Sequence, residues 1–293
     1  MSAALSAALA SSLGREVATL RPIAGGDLND AYRATLADGT PVFVKTSADA
    51  APGAFAAEAA GLRWLAEPAA LPLAEVLAVA DDASGPRFLA LEWIDSGPPS
   101  AAADEALGRG LAGLHAAGAP TFGGPDDTLR IGPLALPNEP APAWGAFYAD
   151  RGLLPLADRA EARGALPPGT RAAVDRIAAR LHDPADDLAG PPEPPARLHG
   201  DLWGGNVMTA ADGRPWLIDP AAHGGHREVD LAMLRLFGGP SERAFAAYAE
   251  VAPLAAGAPG RVALWQLAPL LLHAALFGAA YGSRVAAAAR PYV

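Results

Sequence analysis

The sequence predicts an α+β fold in two lobes, a small β-rich N-terminal lobe followed by a larger, mainly helical C-terminal lobe. Three observations predict it. Short runs rich in β-branched and aromatic residues, punctuated by Gly, Asp and Asn, are concentrated within residues 16–93. After Asp104 the character turns helical, with Pro- and Gly-rich loops between segments. Between the two lies Ser96-Gly97-Pro98-Pro99, which has the composition of a linker. The expected division is residues 1–91 for the N-lobe, 92–97 for a hinge and 98–293 for the C-lobe.

Each element has its own warrant. Met1 to Leu13 is apolar and Ala-rich with no Lys or Arg before it, which predicts an amphipathic helix rather than a secretory signal. Strands are expected at Val17–Ile23, Ala31–Leu36 and Pro41–Thr46. The segment from Ala24 to Asp30 joins the first pair, and Asp38-Gly39 the second. A helix follows from Gly53 to Ala66, with Pro52 at its start and Pro68 beyond its end. Further strands are expected at Glu75–Ala80 and Arg87–Trp93. In the second half the expected helices are 104–117, 143–150, 170–181, 227–237, 241–250 and 261–281. Only Pro215–Ile218 and Arg197-Leu198 read as strands there.

Composition narrows the function. A formal charge of −10 argues against non-specific nucleic-acid binding, which needs clustered cations. With no cysteine, disulfides and thiolate metal sites are excluded, in keeping with a cytoplasmic location. Val262 to Gly282 carries no charged residue and is long enough to span a bilayer, but Gln266, Pro269 and His273 interrupt it. Two buried helices with a break near Pro269 are expected, and no membrane association. The sequence fixes no oligomeric state.

The basic residues are unevenly divided. Of 22 Lys and Arg residues one alone is lysine, Lys45, at the end of Pro41-Val42-Phe43-Val44-Lys45-Thr46. Arginine is a wide planar fork and lysine a compact point charge on a flexible stem, so a position that keeps lysine needs an ammonium. In the next helix Phe55, Glu58, Leu62 and Leu65 fall on one face. A carboxylate on an apolar stripe calls for a cation, and Lys45 is the partner expected for Glu58.

The strongest chemical signal is His199-Gly200-Asp201-Leu202-Trp203-Gly204-Gly205-Asn206, followed by Trp216-Leu217-Ile218-Asp219-Pro220. His-x-Asp-x4-Asn has the spacing of a kinase catalytic loop, and the second segment sets a carboxylate after a short apolar strand, where a kinase holds metal. Phosphoryl transfer needs a carboxylate to accept the attacking hydroxyl's proton, which suits Asp201. It also needs oxygen ligands for Mg2+, which suits Asn206 and Asp219. Gly25 and Gly26 lie between the first two strands, where a phosphate-covering loop would be. Glu92 and Ile94 end the fifth strand, where a backbone carbonyl and N–H could hold adenine. Together these predict a protein-kinase-like fold that binds ATP with Mg2+.

The same residues resemble a known family. The catalytic loop with its Asp201-Leu202-Trp203, the Ile218-Asp219-Pro220-Ala221 segment, Gly225-His226-Arg227-Glu228-x-Asp230-Leu231-Ala232-Met233 and Phe237-Gly238-Gly239 together are similar to the fructosamine-3-kinase (ketosamine-3-kinase) family. That family belongs to the protein-kinase-like superfamily, with aminoglycoside and choline kinases. The resemblance implies transfer of the ATP γ-phosphate to the 3-hydroxyl of a ketosamine, a fructosamine or ribulosamine. The unstable 3-phosphate then releases the amine. By matched position it implies Lys45, Glu58, Asp201, Asn206 and Asp219 as the catalytic set, and makes Trp203 either a wall for the sugar or an anchor of the loop. Other small-molecule kinases, of the aminoglycoside, choline or homoserine type, are the alternative, and a catalytically silent nucleotide-binding module is the more distant one.

Several residues stay open at this level. His223 and His226 flank two glycines and are expected in a loop rather than on a metal. Glu228 and Asp230 are expected to compensate the dipole of the helix they open, and Asp230 to tie down the catalytic loop. His115 reads as a helix C-terminal residue. His182 to Asp187 reads as a solvated loop. Trp144, Phe147, Tyr148 and Arg151 share a helix that either shapes specificity or packs.

Overall fold

The computed structural model describes residues 2–23, 29–82, 85–124 and 126–293. Helix α1 (Ser2–Leu13) buries Leu5 and Leu9, one turn apart, against the outer face of the N-terminal sheet. That sheet comprises β1 (Val17–Ile23), β2 (Asp30–Leu36), β3 (Pro41–Thr46), β4 (Val76–Ala80) and β5 (Phe88–Glu92), with helix α2 (Ala54–Ala66) between β3 and β4 in sequence. The strand order is β1-β2-β3-β5-β4, antiparallel throughout.

The two-residue period of a strand decides what each face presents. Val42 and Val44 of β3 turn into the core beneath α1, so Phe43 and Lys45 turn the other way, toward α2 and the cleft. Lys45 stands in register between Ala31 of β2 and Leu89 of β5, which fixes the root of its side chain from both sides. On α2, Phe55, Ala59, Leu62 and Leu65 are buried, packing with Leu89 and Leu91 of β5. Each such large side chain contributes about 1.5–3 kcal/mol on burial. The first turn of α2 is capped from a distance, the Ala56 N–H donating to Asp81 at 3.0 Å.

The C-terminal half opens with α3 (Ala101–Ala116), whose Ser100 caps the helix through the Ala103 N–H at 3.1 Å. A hairpin of β6 (Thr128–Ile131) and β7 (Leu134–Pro137) follows. It was not expected: two four-residue strands around Gly132-Pro133 give too short an alternation to stand out. Next come α4 (Trp144–Phe147), a π-helical turn (Tyr148–Leu153), α5 (Leu154–Ala162) and α6 (Thr170–His182). The π turn precedes Pro155, which has no N–H to close an ordinary α-helical bond to Arg151. The helix expected to end at 150 therefore continues in altered form.

Four short strands frame the next region: β8 (Ala196–Leu198) pairs with β11 (His223–Gly225), and β9 (Val207–Thr209) with β10 (Pro215–Leu217). The remaining helices are α7 (Glu228–Leu234), α8 (Glu242–Val251), α9 (Ala258–Trp265), α10 (Leu267–Phe277) and α11 (Ala279–Ala289). Helix α8 lies directly on α3. Gly108 makes this possible, because a Cβ there would stand 2.0 Å from the Ala244 carbonyl oxygen.

The stretch Ala258–Phe277 has the length and mean hydropathy of a membrane span, 1.3, yet it is two helices broken at Gln266. Trp265, Leu267, Leu270 and Leu271 lie in the core. The break falls three residues before Pro269 because the proline ring would clash with the Trp265 carbonyl in a continuous helix.

Candidate active site

Lys45, Glu58, Asp201, Trp203, Asn206 and Asp219 all line one cleft of about 1340 Å³ between the sheet and the helical half. Further lining comes from β1 to β3 and the segment after them, from α2, from the β6–β7 hairpin, and from α7 and α10 with the segments that follow them. Residues far apart in sequence thus meet because β3, α2 and the β8–β10 region each end at the same opening.

Lys45 is 9% exposed, and its Nζ donates to both Glu58 oxygens, at 2.9 and 3.1 Å, and to Asp219 Oδ1 at 3.1 Å. The Lys45–Glu58 pair read from the apolar stripe is therefore present, with a second carboxylate added. Burial pulls the ammonium down, but Glu58 and then Asp219 outweigh it and the net shift is upward. Burial pushes the Glu58 carboxyl up to about 7, Lys45 opposes this, and Asp219 adds to the rise. One ammonium serves two carboxylates, so it compensates the buried Glu58 only in part.

The loop after β8 carries the second cluster. His199 Nε2 donates to the Ile218 carbonyl at 2.9 Å, which leaves Nδ1 to accept from the Asp201 N–H at 3.3 Å. Gly200 has φ +82°, and a Cβ on it would meet the Ala221 carbonyl oxygen at 2.0 Å, so the His-Gly-Asp step needs glycine. Asn206 Nδ2 donates to the Asp201 carbonyl at 2.8 Å and to Asp201 Oδ2 at 3.2 Å. Burial raises the Asp201 carboxyl, against His199 and the Asn206 bond.

Asp219 follows β10 with φ 54°, a left-handed conformation unusual for a residue with a side chain. The Ile218 N–H donates to the Asn206 carbonyl at 3.1 Å, which keeps the two segments side by side. The whole loop hangs on Asp230 of α7. Its Oδ2 accepts from the His199 N–H at 2.8 Å and its Oδ1 from the Gly200 N–H at 2.9 Å, as the sequence led us to expect. Burial would raise this carboxyl, yet His115, His199 and the Gly200 N–H hold it below the usual carboxylate range.

Magnesium fits the residues present. The Asn206 amide nitrogen is committed, leaving its oxygen available, and Asp219 has one oxygen not engaged by Lys45. Among the described residues no group of three His, Cys, Asp or Glu forms a metal cage. Two hard oxygens suit Mg2+, which keeps water and phosphate oxygens for its other positions.

The other expected residues divide. Trp203 is 38% exposed at the cleft, with its ring against Gly205, so it does not anchor the loop from within the core. Glu92 closes β5 beside Val42 and Ile94 packs on the core; the structure does not bring them to the Lys45 cluster. Gly25 and Gly26 lie outside the described residues. His223 belongs to β11 rather than a loop, its Nδ1 bonded to the Ala221 carbonyl at 2.9 Å, and His226 is buried. Trp144, Phe147 and Tyr148 pack in the core, while Arg151 pairs with Glu139 at 3.1 Å. His182 ends α6 and meets Asp150 at 2.9 Å.

Glu228 lies in the first turn of α7, as expected, and does more than face its dipole. It is buried, paired with Arg261 and accepting from Trp265 Nε1 at 2.8 Å. His115 is also more than a helix end, being buried between Tyr248 and Asp230. Its signal was a polar residue one turn beyond Leu107 and Leu111 on an apolar face.

Known proteins resemble this chain along its length. Residues 1–291 match the family model described as fructosamine kinase. An Enterococcus faecium protein named "Probable ketoamine kinase" is 35% identical over 90% of this chain and 91% of its own length. The crystal structure of a Thermobifida fusca protein named "putative fructosamine-3-kinase" superposes with a TM-score of 0.89 at 48% identity, covering 98% of this chain and 97% of that one. An aminoglycoside phosphotransferase, at 19% identity and a TM-score of 0.67 with each chain fully covered, shares the protein-kinase-like fold.

Proposed function

Because the chain belongs to the fructosamine kinase family, we propose that it transfers the γ-phosphate of ATP to the 3-hydroxyl of a ketosamine, a fructosamine or ribulosamine. The observation that carries the phosphoryl-transfer part of the reading is the pair of contact sets Glu58–Lys45–Asp219 and Asn206–Asp201 lining one cleft. Those are the groups that phosphoryl transfer needs, in the order it needs them.

Asp201 is the base. Burial raises its carboxyl, which strengthens it as a proton acceptor, and the bond from Asn206 Nδ2 holds one oxygen and leaves the other for the substrate hydroxyl. Lys45, freed from Asp219 when phosphate oxygens compete for it, neutralises charge on them while Glu58 keeps it aimed. Asn206 and Asp219 would hold Mg2+, which when bound neutralises the β- and γ-phosphate oxygens. The half-exposed ring of Trp203 offers a flat wall to the sugar. Loss of the 3-phosphate from the product then frees the amine, so the activity amounts to deglycation.

A coupled ADP-release screen across fructosamines, ribulosamines, aminoglycosides and choline tests the reading. Turnover should be confined to the ketosamines, with phosphorus coupling to the C3 proton in the product. Preference for an aminoglycoside or choline would overturn it.

A further inference from the structure

We infer that His273 of α10 receives the ammonium of the ketosamine, its Nε2 accepting the N–H while the aromatic rings around it face the charge. The inference deepens the kinase reading above and rests on it, since it names the part of the substrate that His273 selects.

His273 lines the same cleft as Asp201 and Trp203. Its Nδ1 lies 2.7 Å from the carbonyl oxygen of Pro269, one turn back in the same helix. A carbonyl cannot donate, so Nδ1 carries the ring proton and Nε2 holds a lone pair. Because Nδ1 is turned onto the helix backbone, Nε2 on the far edge of the ring is turned away from it, toward the cleft. Among the described residues nothing donates to Nε2. Burial holds the imidazole below the usual histidine range against the Pro269 bond and Asp201, and Arg284 adds to the lowering. Near pH 7 the ring is therefore neutral, an acceptor rather than a cation.

What surrounds the lone pair decides what it takes. Phe237, Tyr281 and Phe277 stand around the imidazole, their ring centroids 4.4, 4.9 and 5.5 Å from its own. Arg284 stacks on Phe237 and Tyr281, at 5.2 and 5.8 Å, which leaves Phe277 and the imidazole to receive a second cation. A sugar hydroxyl brought here would find one acceptor, and its own oxygen would face hydrocarbon. A secondary ammonium has no lone pair to satisfy; it needs an acceptor for its N–H and gains from aromatic faces. Of the donors a ketosamine carries, the amine is the one that fits this corner. Phe277, the last residue of α10, is 51% exposed, so the second N–H reaches water and the amine's substituent leaves over that ring. Asp201 and His273 are near enough for each to alter the other's proton affinity. The reacting hydroxyl and the amine are thus held at the two ends of one short span of the sugar.

The test pairs an amine with an ether. An N-alkyl fructosamine is compared with the ketose ether that has oxygen in place of the N–H. Both are given to wild type and to His273→Phe, which keeps an aromatic ring but neither nitrogen. Wild type should favour the amine by about 10- to 100-fold in kcat/KM, the worth of one hydrogen bond to a charged group. In His273→Phe the preference should shrink to within about threefold. His273→Gln, whose amide oxygen reaches the place of Nε2, should recover most of it. KM for ATP should stay within about twofold throughout. The same preference in wild type and His273→Phe would overturn the inference, as would a wild type that does not distinguish amine from ether. Should His273→Phe not fold, His273→Gln against His273→Asn carries the test, because the shorter amide stops at the place of Nδ1; equal preference in those two overturns it. Wild-type turnover of the fructosamine separates the two levels. Its absence would sink the kinase reading as well, whereas loss of the expected pattern with turnover intact would sink only the role of His273.

Discussion

Two buried carboxylates sit on opposite sides of the cleft, and their environments push them in opposite directions. Glu58, on α2, shares one ammonium with Asp219, and burial raises it. Asp230, on α7, is more completely buried, yet it is held low by His115, His199 and the Gly200 N–H. Burial alone does not decide the state of a carboxyl; the number of donors committed to it does. The difference suits the two tasks. The Lys45 side is a set of mutual attractions that incoming phosphate can rearrange, while the Asp230 side is a fixed bracket that ties a loop to the core.

The largest effect should come from the group that the bracket holds. Asp201→Asn is expected to lower kcat by about 10²–10⁴-fold while ATP affinity, measured by calorimetry, stays unchanged. Because burial raises this carboxyl, the same variant should melt no lower than wild type at neutral pH. Substantial remaining turnover would remove Asp201 from the base role.

Asp230→Asn comes next, read by urea denaturation. Replacing a buried carboxylate that serves three donors should cost about 3 kcal/mol or more. Lys45→Arg should follow, with kcat/KM lower by about 10²-fold, because a planar guanidinium cannot occupy the point between Glu58 and Asp219. Normal rates would mean that charge alone is needed there.

Glu58→Gln sharpens the comparison, being the same carboxylate-to-amide change as at Asp230. Its stability cost near pH 7 should stay within about 1 kcal/mol, because a carboxyl pushed up to about 7 has already lost much of its charge there. The pH dependence has a definite sign. A carboxyl raised in the folded state favours folding most below its unfolded value of about 4.3, and that contribution is lost as pH rises through about 7. Wild type should therefore lose stability relative to Glu58→Gln across that window. Asp230, being lowered, behaves oppositely: its stabilisation is present above about 3.9 and disappears as pH falls through its folded-state value. Denaturation series at several pH values would expose parallel curves if the contrast were false.

The smallest effect concerns rate against pH. The raised Asp201 carboxyl should place the acid limb of kcat above the ordinary aspartate range of about 3.9, and a limb at or below that value would argue for a different base.

How much of this was legible in the sequence depended on distance along the chain. Glu58 could be paired with Lys45 because a helix period and a strand end lie thirteen residues apart, and Nζ stands 2.9 Å from the carboxylate. The first three strands were readable for the same reason, being separated by short segments, while β4 and β5 beyond α2 were read from their own apolar runs. The β6–β7 hairpin and α5 were not, the first for want of length and the second because Pro155 imitates a helix end. Glu228 and His115 were underestimated because their partners, Arg261, Tyr248 and Asp230, come from other helices. Side chains of that kind reveal themselves only when the topology is known.

The placement of Lys45 has a last consequence, for the protein's own chemistry. Reducing sugars attack amines that are unprotonated and accessible, and the one lysine of this chain is neither, being buried and clamped between two carboxylates. Everywhere else that a basic side chain was needed the chain uses arginine, which forms no Schiff base with a sugar aldehyde. An enzyme that works among glycated amines thus offers no exposed lysine side chain on which the same damage could begin.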